Sequence, residues 1–172
     1  MNDQLKISGI IKSSIVDGPG IRYTIFTQGC YHKCLGCQNP QTHDPNGGTF
    51  ISIDDIYNEI MESSLYEGVT FSGGEPFLQA DALSELANKI KKSEKNLNII
   101  CYTGYTYEEI QDIIQSGSFS YSRLLNSIDY LIDGRFDQDK ASLDCTWRGS
   151  TNQRIIDVKK SIESKKVIEV EL

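Results

Sequence analysis

The sequence predicts an α/β fold, an incomplete parallel barrel of the (β/α)6 type or an open parallel sheet. Three observations predict it. β-rich runs alternate with amphipathic helical runs, which is the pattern of βαβ units. Unusual clusters of Cys, Gly and acidic residues follow the strands, where α/β proteins place their function. The 172 residues hold about six units at roughly 30 residues per βαβ step, whereas a complete eight-stranded barrel needs about 250. Residues 1–172 are expected to form one domain.

The elements follow in order. Asp17-Gly18-Pro19-Gly20 is a turn, and Ile21–Gln28 (IRYTIFTQ) after it is a strand. Cys30–Gly48 is rich in Gly, Pro, Asn and Cys and reads as a loop. Ser52 is an N-cap, after which Ile53, Ile56, Tyr57, Ile60 and Met61 keep helical spacing. Gly68–Ser72 is a short strand ending in Gly73-Gly74-Glu75-Pro76, and a helix spans about Gln79–Lys92. Leu97–Tyr102 is the next strand. Thr106-x-x-Glu109 is a capping box opening a helix to about Gln115. Ile128–Ile132 is a strand closed by Asp133-Gly134, and Ile155–Val158 and Val167–Val170 are candidate last strands.

The chain carries 17 Lys and Arg against 24 Asp and Glu, a net charge of −7. That balance argues against a general nucleic-acid binder, which shows a basic footprint. No run approaches 18 apolar residues, so no membrane partner is expected. Met1–Gly9 is polar and no apolar segment follows it, so the expected location is the cytoplasm. In that reducing compartment the 5 cysteines are ligands or catalysts before they are disulfides.

Cys30-Tyr31-His32-Lys33-Cys34-Leu35-Gly36-Cys37 is the sharpest feature. Its C-x3-C-x2-C spacing lets three thiolates converge if the loop curls, and thiolates suit zinc or iron–sulfur centres. A [4Fe–4S] cube usually takes four cysteines. With three, one iron stays open to a small molecule. The alternative is a structural zinc with His32 or His43 as fourth ligand, in a binding module without catalysis. Paired zinc knuckles stand about 12–20 residues apart, and this chain has no second knuckle. Both histidines read as ordinary loop residues, Cys101 as a small core residue and Cys145 as structural.

The cysteine spacing after the first strand and Gly73-Gly74-Glu75-Pro76 after the next resemble the radical S-adenosylmethionine (SAM) superfamily. Three longer stretches resemble the activating enzymes of glycyl radical enzymes: Val16–Arg22 (VDGPGIR), Gly36–Pro40 (GCQNP) and Trp147–Arg154 (WRGSTNQR). They are most similar to those activases whose protein substrate is anaerobic ribonucleoside-triphosphate reductase. The likeness runs from about residue 7 to 158. It implies a radical SAM-like fold and a [4Fe–4S] cluster on Cys30, Cys34 and Cys37. It also implies SAM bound through the open iron, and reductive cleavage of SAM that leads to a glycyl radical on the reductase. A flavodoxin- or ferredoxin-type protein would donate the electron.

The resemblance also implies cofactor-binding residues: Gly36, Cys37, Gln38, Gly73, Gly74, Glu75, Thr103 and Asp133. Many superfamily members carry an aromatic residue before the third cysteine, and Gly36 offers only backbone there. Glycines let backbone approach a ligand closely, so the Gly73-Gly74 edge would take the methionyl ammonium, with Glu75 as acceptor or loop brace. By itself the same tripeptide is a tight strand-to-helix turn. Thr103 and Asp133 would touch the ribose, the methionyl carboxylate or a cation, or else serve as cap and turn. Arg148, Asn152, Gln153 and Arg154 would hold SAM or the partner, or form a surface loop. A small-molecule radical SAM enzyme of the 7-carboxy-7-deazaguanine synthase kind is the rival, and VDGPGIR and RGSTNQR speak against it.

Overall fold

The computed structural model describes residues 3–172. Its strands are β1 (Gln4–Ser14), β2 (Arg22–Thr27), β3 (Thr49–Ser52), β4 (Gly68–Gly73), β5 (Asn98–Tyr102), β6 (Tyr130–Asp133) and β7 (Arg154–Asp157). Its helices are α1 (Ile53–Glu62), α2 (Ala80–Lys92), α3 (Tyr107–Gln115), α4 (Phe119–Ser127) and α5 (Val158–Ser164). The strands form one seven-stranded sheet in the order β3-β1-β2-β4-β5-β6-β7. It is open, since β3 and β7 lie at opposite ends of that order.

The parallel part is shorter than the expected six units. β2, β4, β5 and β6 run parallel, with Thr24 opposite Thr70, Val69 opposite Ile99 and Cys101 opposite Leu131. Both edges are antiparallel: β1 pairs with β2 and β3, and β7 with β6. The reason at the first edge is chain length. A parallel return needs a crossover of a dozen or more residues, and the stretch 15–21 is too short to make one. β1, β3, α4 and α5 were not among the sequence expectations. Val167–Val170 makes only an isolated bridge, Glu169 to Ile156, beside β7.

Strand alternation decides which face does what. Tyr23, Ile25, Val69, Phe71, Ile99, Cys101 and Leu131 point into the main core, where the helices cover them with Ile56, Ile60, Leu83, Leu86 and Ile90. Cys101 is fully buried there, as the sequence implied, and burial pushes its thiol well up. The alternate residues face the other way. Ile100, Ile132 and Ile155 form a small second cluster with Tyr102, Trp147 and Val170. Arg22 is fully buried among neutral oxygens. It donates to Thr70 Oγ1 at 2.6 Å and to the carbonyls of Val69 and Pro19 at 2.8 and 3.1 Å. Without a carboxylate partner, burial lowers its pKa to about 10.

The capping box forms as the sequence predicted. Thr106 Oγ1 accepts from the Glu109 N–H at 3.1 Å, and Glu109 accepts from the Thr106 N–H at 2.8 Å. That N–H, with Arg135, holds the Glu109 carboxyl below its ordinary value of 4.5. A carboxylate whose folded pKa is lowered stabilises the protein above the ordinary value, and the contribution is lost as pH falls through the folded one. Glu109→Gln is therefore expected to flatten the acid side of a plot of Tm against pH below the ordinary value of 4.5. Scanning calorimetry across that range checks it; an unchanged slope refutes it.

Candidate active site

A cavity of about 710 Å³ opens at the C-terminal ends of β2, β4, β5 and β6. Cys30, Cys34 and Cys37 line one wall, Gly73, Gly74 and Thr103 the strand-end floor, and Tyr102, Trp147 and Arg148 the far wall. The three cysteines therefore share one space, as their spacing predicted.

The loop that carries them is anchored at its ends. Gly29 and Cys30 donate their N–H groups to the carbonyls of Thr42 and His43 at 2.8 and 3.1 Å. Gln28 Nε2 reaches the carbonyls of Asp44 and Gln41 at 2.8 and 3.1 Å. Inside the loop, Cys37 N donates to Cys34 O at 3.2 Å, and Asn39 N to Cys37 Sγ at 3.4 Å. Cys30 is buried, Cys34 and Cys37 are half-buried, and none of the five cysteines is in a disulfide. Burial raises the Cys30 and Cys34 thiols, against the N–H groups of His32 and Phe136 respectively. A bound metal reverses that balance, because coordination deprotonates a thiol. Among the described residues, no three His, Cys, Asp or Glu side chains are grouped to hold one metal ion. Thiolates on separate irons of a cube stand farther apart than ligands that share one ion. The thiols of Cys30, Cys34 and Cys37 share the space with Cys145, His32, His43 and one carboxylate, Asp17, and a donor set so rich in thiols fits an iron–sulfur centre.

The floor is built by close backbone contact. Gly74 N donates to Thr27 O and Glu75 N to Gly29 O, each at 2.8 Å. Gly73 has φ +93, and a Cβ on it would lie 2.5 Å from Thr27 N. A Cβ on Gly74 would lie 2.3 Å from Gly29 O. The pair is a tight turn and a cavity floor at once.

Glu75 takes the brace role of its two options. It is 1% exposed. Its Oε1 accepts from Phe77 N and Thr103 Oγ1 at 3.0 and 2.8 Å, and its Oε2 from Gly104 N at 2.9 Å. Oε2 also meets His32 Nε2 at 2.7 Å. Glu75 does not line the cavity. Nor does Asp133, which accepts from Tyr107 N at 2.7 Å and holds the Arg154 guanidinium. Gly36 stands behind the lining, against the Gln138 side chain, while Gln38 lines the cavity.

Several lining residues had no local signal. Cys145, read as structural, is one of them. The segment 134–153 folds back over the sheet: Gln153 Oε1 accepts from Gly149 N and Ser150 N at 2.8 and 3.2 Å, and its Nε2 donates to Gly134 O at 2.9 Å. Tyr102 Oη donates to Trp147 O at 2.7 Å. On this wall Trp147 Nε1 and Arg148 Nε are buried donors with no acceptor among the described residues. An orphan buried donor is costly and marks a place where an acceptor belongs, which fits a polar ligand in the cavity.

Residues 16–156 match the model of the 4Fe-4S single cluster domain family. Among curated proteins, the anaerobic ribonucleoside-triphosphate reductase-activating protein of Vibrio cholerae is 36% identical over 147 residues, 82% of this chain and 90% of that protein. Its namesake in Escherichia coli K12 is 32% identical over 81% of this chain and 90% of that protein. That of enterobacteria phage T4 is 29% identical over 85% and 90%. The crystal structure of QueE from Escherichia coli overlaps 60% of this chain and 54% of its own, at a TM-score of 0.47 and 18% identity.

Proposed function

Because this chain belongs to the 4Fe-4S single cluster domain family and to the anaerobic ribonucleoside-triphosphate reductase-activating proteins, we propose that it is the enzyme that installs a glycyl radical on such a reductase. The observation that carries the reading is the meeting of three thiols and the Gly73-Gly74 edge in one cavity at the strand ends. We assign Cys30, Cys34 and Cys37 as cluster ligands. When bound, a [4Fe–4S] cluster supplies the electron for reductive cleavage of SAM.

The chain's own residues do the rest by position and shelter. The Gly73-Gly74 backbone holds the methionyl end of SAM. Cys37 and Gln38 hold its nucleoside end from the loop side, with Gly36 behind them, and Thr103 contacts it from the floor. Glu75 and Asp133 act from behind, keeping the ends of β4, β5 and β6 in register. The wall of Trp147 and Arg148 excludes water, and among the described residues Arg148 is the one Lys or Arg that lines the cavity. An open sheet with a wide mouth admits a protein loop more easily than it encloses a small molecule. Residues 1–172 act as one domain with an incomplete, radical SAM-like barrel. The enzyme works in the cytoplasm with a flavodoxin- or ferredoxin-type donor. No described helix is long and apolar enough to cross a membrane.

The test is anaerobic reconstitution with iron and sulfide, then EPR of the reduced protein with and without SAM. The expected result is a [4Fe–4S] signal that changes with SAM, 5′-deoxyadenosine as product, and a glycyl radical doublet on the reductase. A colourless protein that keeps one zinc and no iron overturns the reading.

A further inference from the structure

The segment between the first and third cysteines has little backbone support of its own, Cys34 O accepting from Cys37 N. Among the described residues, no N–H from Tyr31 to Gly36 donates to another backbone carbonyl, and Lys33 sits at φ 51, outside regular structure. Tyr31 and Leu35 point outward, 67% and 81% exposed. Between them His32 turns inward, with a side chain 9% exposed.

The imidazole of His32 is held on three sides. Its Nε2 lies 2.7 Å from Glu75 Oε2. Its ring lies on Gly104, where a Cβ would come within 2.3 Å of Cδ2. Tyr105 meets it edge-on, with centroids 4.6 Å apart at 78°. Glu75 is itself bonded to the ends of β4 and β5 through Phe77, Thr103 and Gly104. A buried, charge-assisted hydrogen bond to a fully partnered carboxylate is among the firmer tethers a side chain can make.

We propose that His32 is a positioning residue. Its bond to Glu75 sets where the cysteine loop stands over the ends of β4 and β5 before iron is bound. The assignment of a cluster to that loop rests on the proposed function, but the tether itself does not. Its consequence is preorganisation. A loop held in place keeps its three thiols facing one space, whereas a loose loop must be ordered when iron arrives.

The test uses the full chain with His32→Ala, His32→Gln and, independently, Gly104→Ala, whose methyl would displace the ring. Amide hydrogen exchange at Gly29, Cys30 and Cys37, the hydrogen-bonded N–H groups of the cysteine loop, is read first, in the iron-free protein. His32→Ala is expected to raise it about tenfold, the loss of one charge-assisted bond, with exchange in α2 unchanged. His32→Gln, whose amide N–H reaches Glu75, is expected to restore most of the protection, and Gly104→Ala to behave like His32→Ala. Iron bound at limiting iron and the midpoint potential of the reconstituted centre are read second, and both are expected to shift in His32→Ala and recover in His32→Gln. Unchanged exchange in His32→Ala overturns the proposal, as does a His32→Gln protein no better than His32→Ala. If the unsubstituted protein takes up no iron, the cluster assignment fails, and the exchange comparison still decides the tether.

Discussion

Alanine in place of Cys30, Cys34 or Cys37 is expected to drop bound iron from about four per chain to near zero after reconstitution. The physical reason is that the other donors lining the cavity, His43 and Cys145 among them, lie outside the C-x3-C-x2-C loop. With three thiols for four irons, loss of one leaves two irons without a protein ligand, and His32 is already committed to Glu75. Cys101 is buried on the opposite face of β5 and is out of reach. Cys145 lines the same cavity, so it is the sulfur that needs a direct control. Cys145→Ser and Cys101→Ala are expected to keep full iron content. The iron-free variants of Cys34 and Cys37 should unfold close to the unsubstituted protein, because both side chains are only half-buried. The holo-protein should lose the extra stability that a ligand bound only to the folded state confers. Iron and sulfide analysis with visible absorbance checks this. A full complement of iron in any one of the three variants removes that residue from the ligand set, and loss of iron in Cys145→Ser adds a fourth sulfur.

Gly74→Ala is expected to cost about 3 kcal/mol or more and to lower Tm by roughly 6–12 °C for a chain of this size. The methyl would stand 2.3 Å from Gly29 O, a backbone atom next to Cys30. Backbone cannot swing aside as a flexible side chain does. The strain therefore passes into the Glu75 N to Gly29 O bond and the root of the cysteine loop. Gly73→Ala adds the cost of a left-handed φ of +93 to a clash with Thr27 N at 2.5 Å. Both variants should also fall in iron uptake, although neither removes a thiol. Gly9→Ala is the control. A Cβ there meets nothing within 4 Å, so it should leave Tm and iron unchanged. Thermal unfolding of the iron-free proteins with parallel reconstitution measures both effects. A Gly74→Ala protein with unaltered Tm means the floor and the loop are not in the contact described.

The legible parts of the fold were local. The spacing of Ile53, Ile56 and Ile60 marked α1, Thr106 and Glu109 capped α3, and the runs that became β2, β4, β5 and β6 stood out by composition. β1 did not: Gln4–Ser14 mixes exposed, half-buried and buried residues and pairs antiparallel on both sides, with β3 and β2, and such a strand lacks the continuous apolar run of a central parallel one. α4 is short, and its Ser-rich sequence reads as turn material.

The site divides the same way. Spacing alone brought out Cys30, Cys34 and Cys37, and the Gly73-Gly74-Glu75 turn after a strand, because each group is contiguous and its chemistry depends on near neighbours. What Glu75 and Asp133 do was decided only by the tertiary structure. A buried carboxylate must be satisfied on every lone pair. The donors that satisfy these two, His32, Thr103 and Gly104 for one and Tyr107 and Arg154 for the other, arrive from distant segments through the register of neighbouring strands. The far wall of the cavity, with Cys145, Trp147 and Arg148, forms where a long loop folds back, held by Gln153 on Gly134 and by Tyr102 on Trp147. Sequence determined which chemistry the chain carries; strand register and loop return decided which of its polar groups face the cavity and which hold it up.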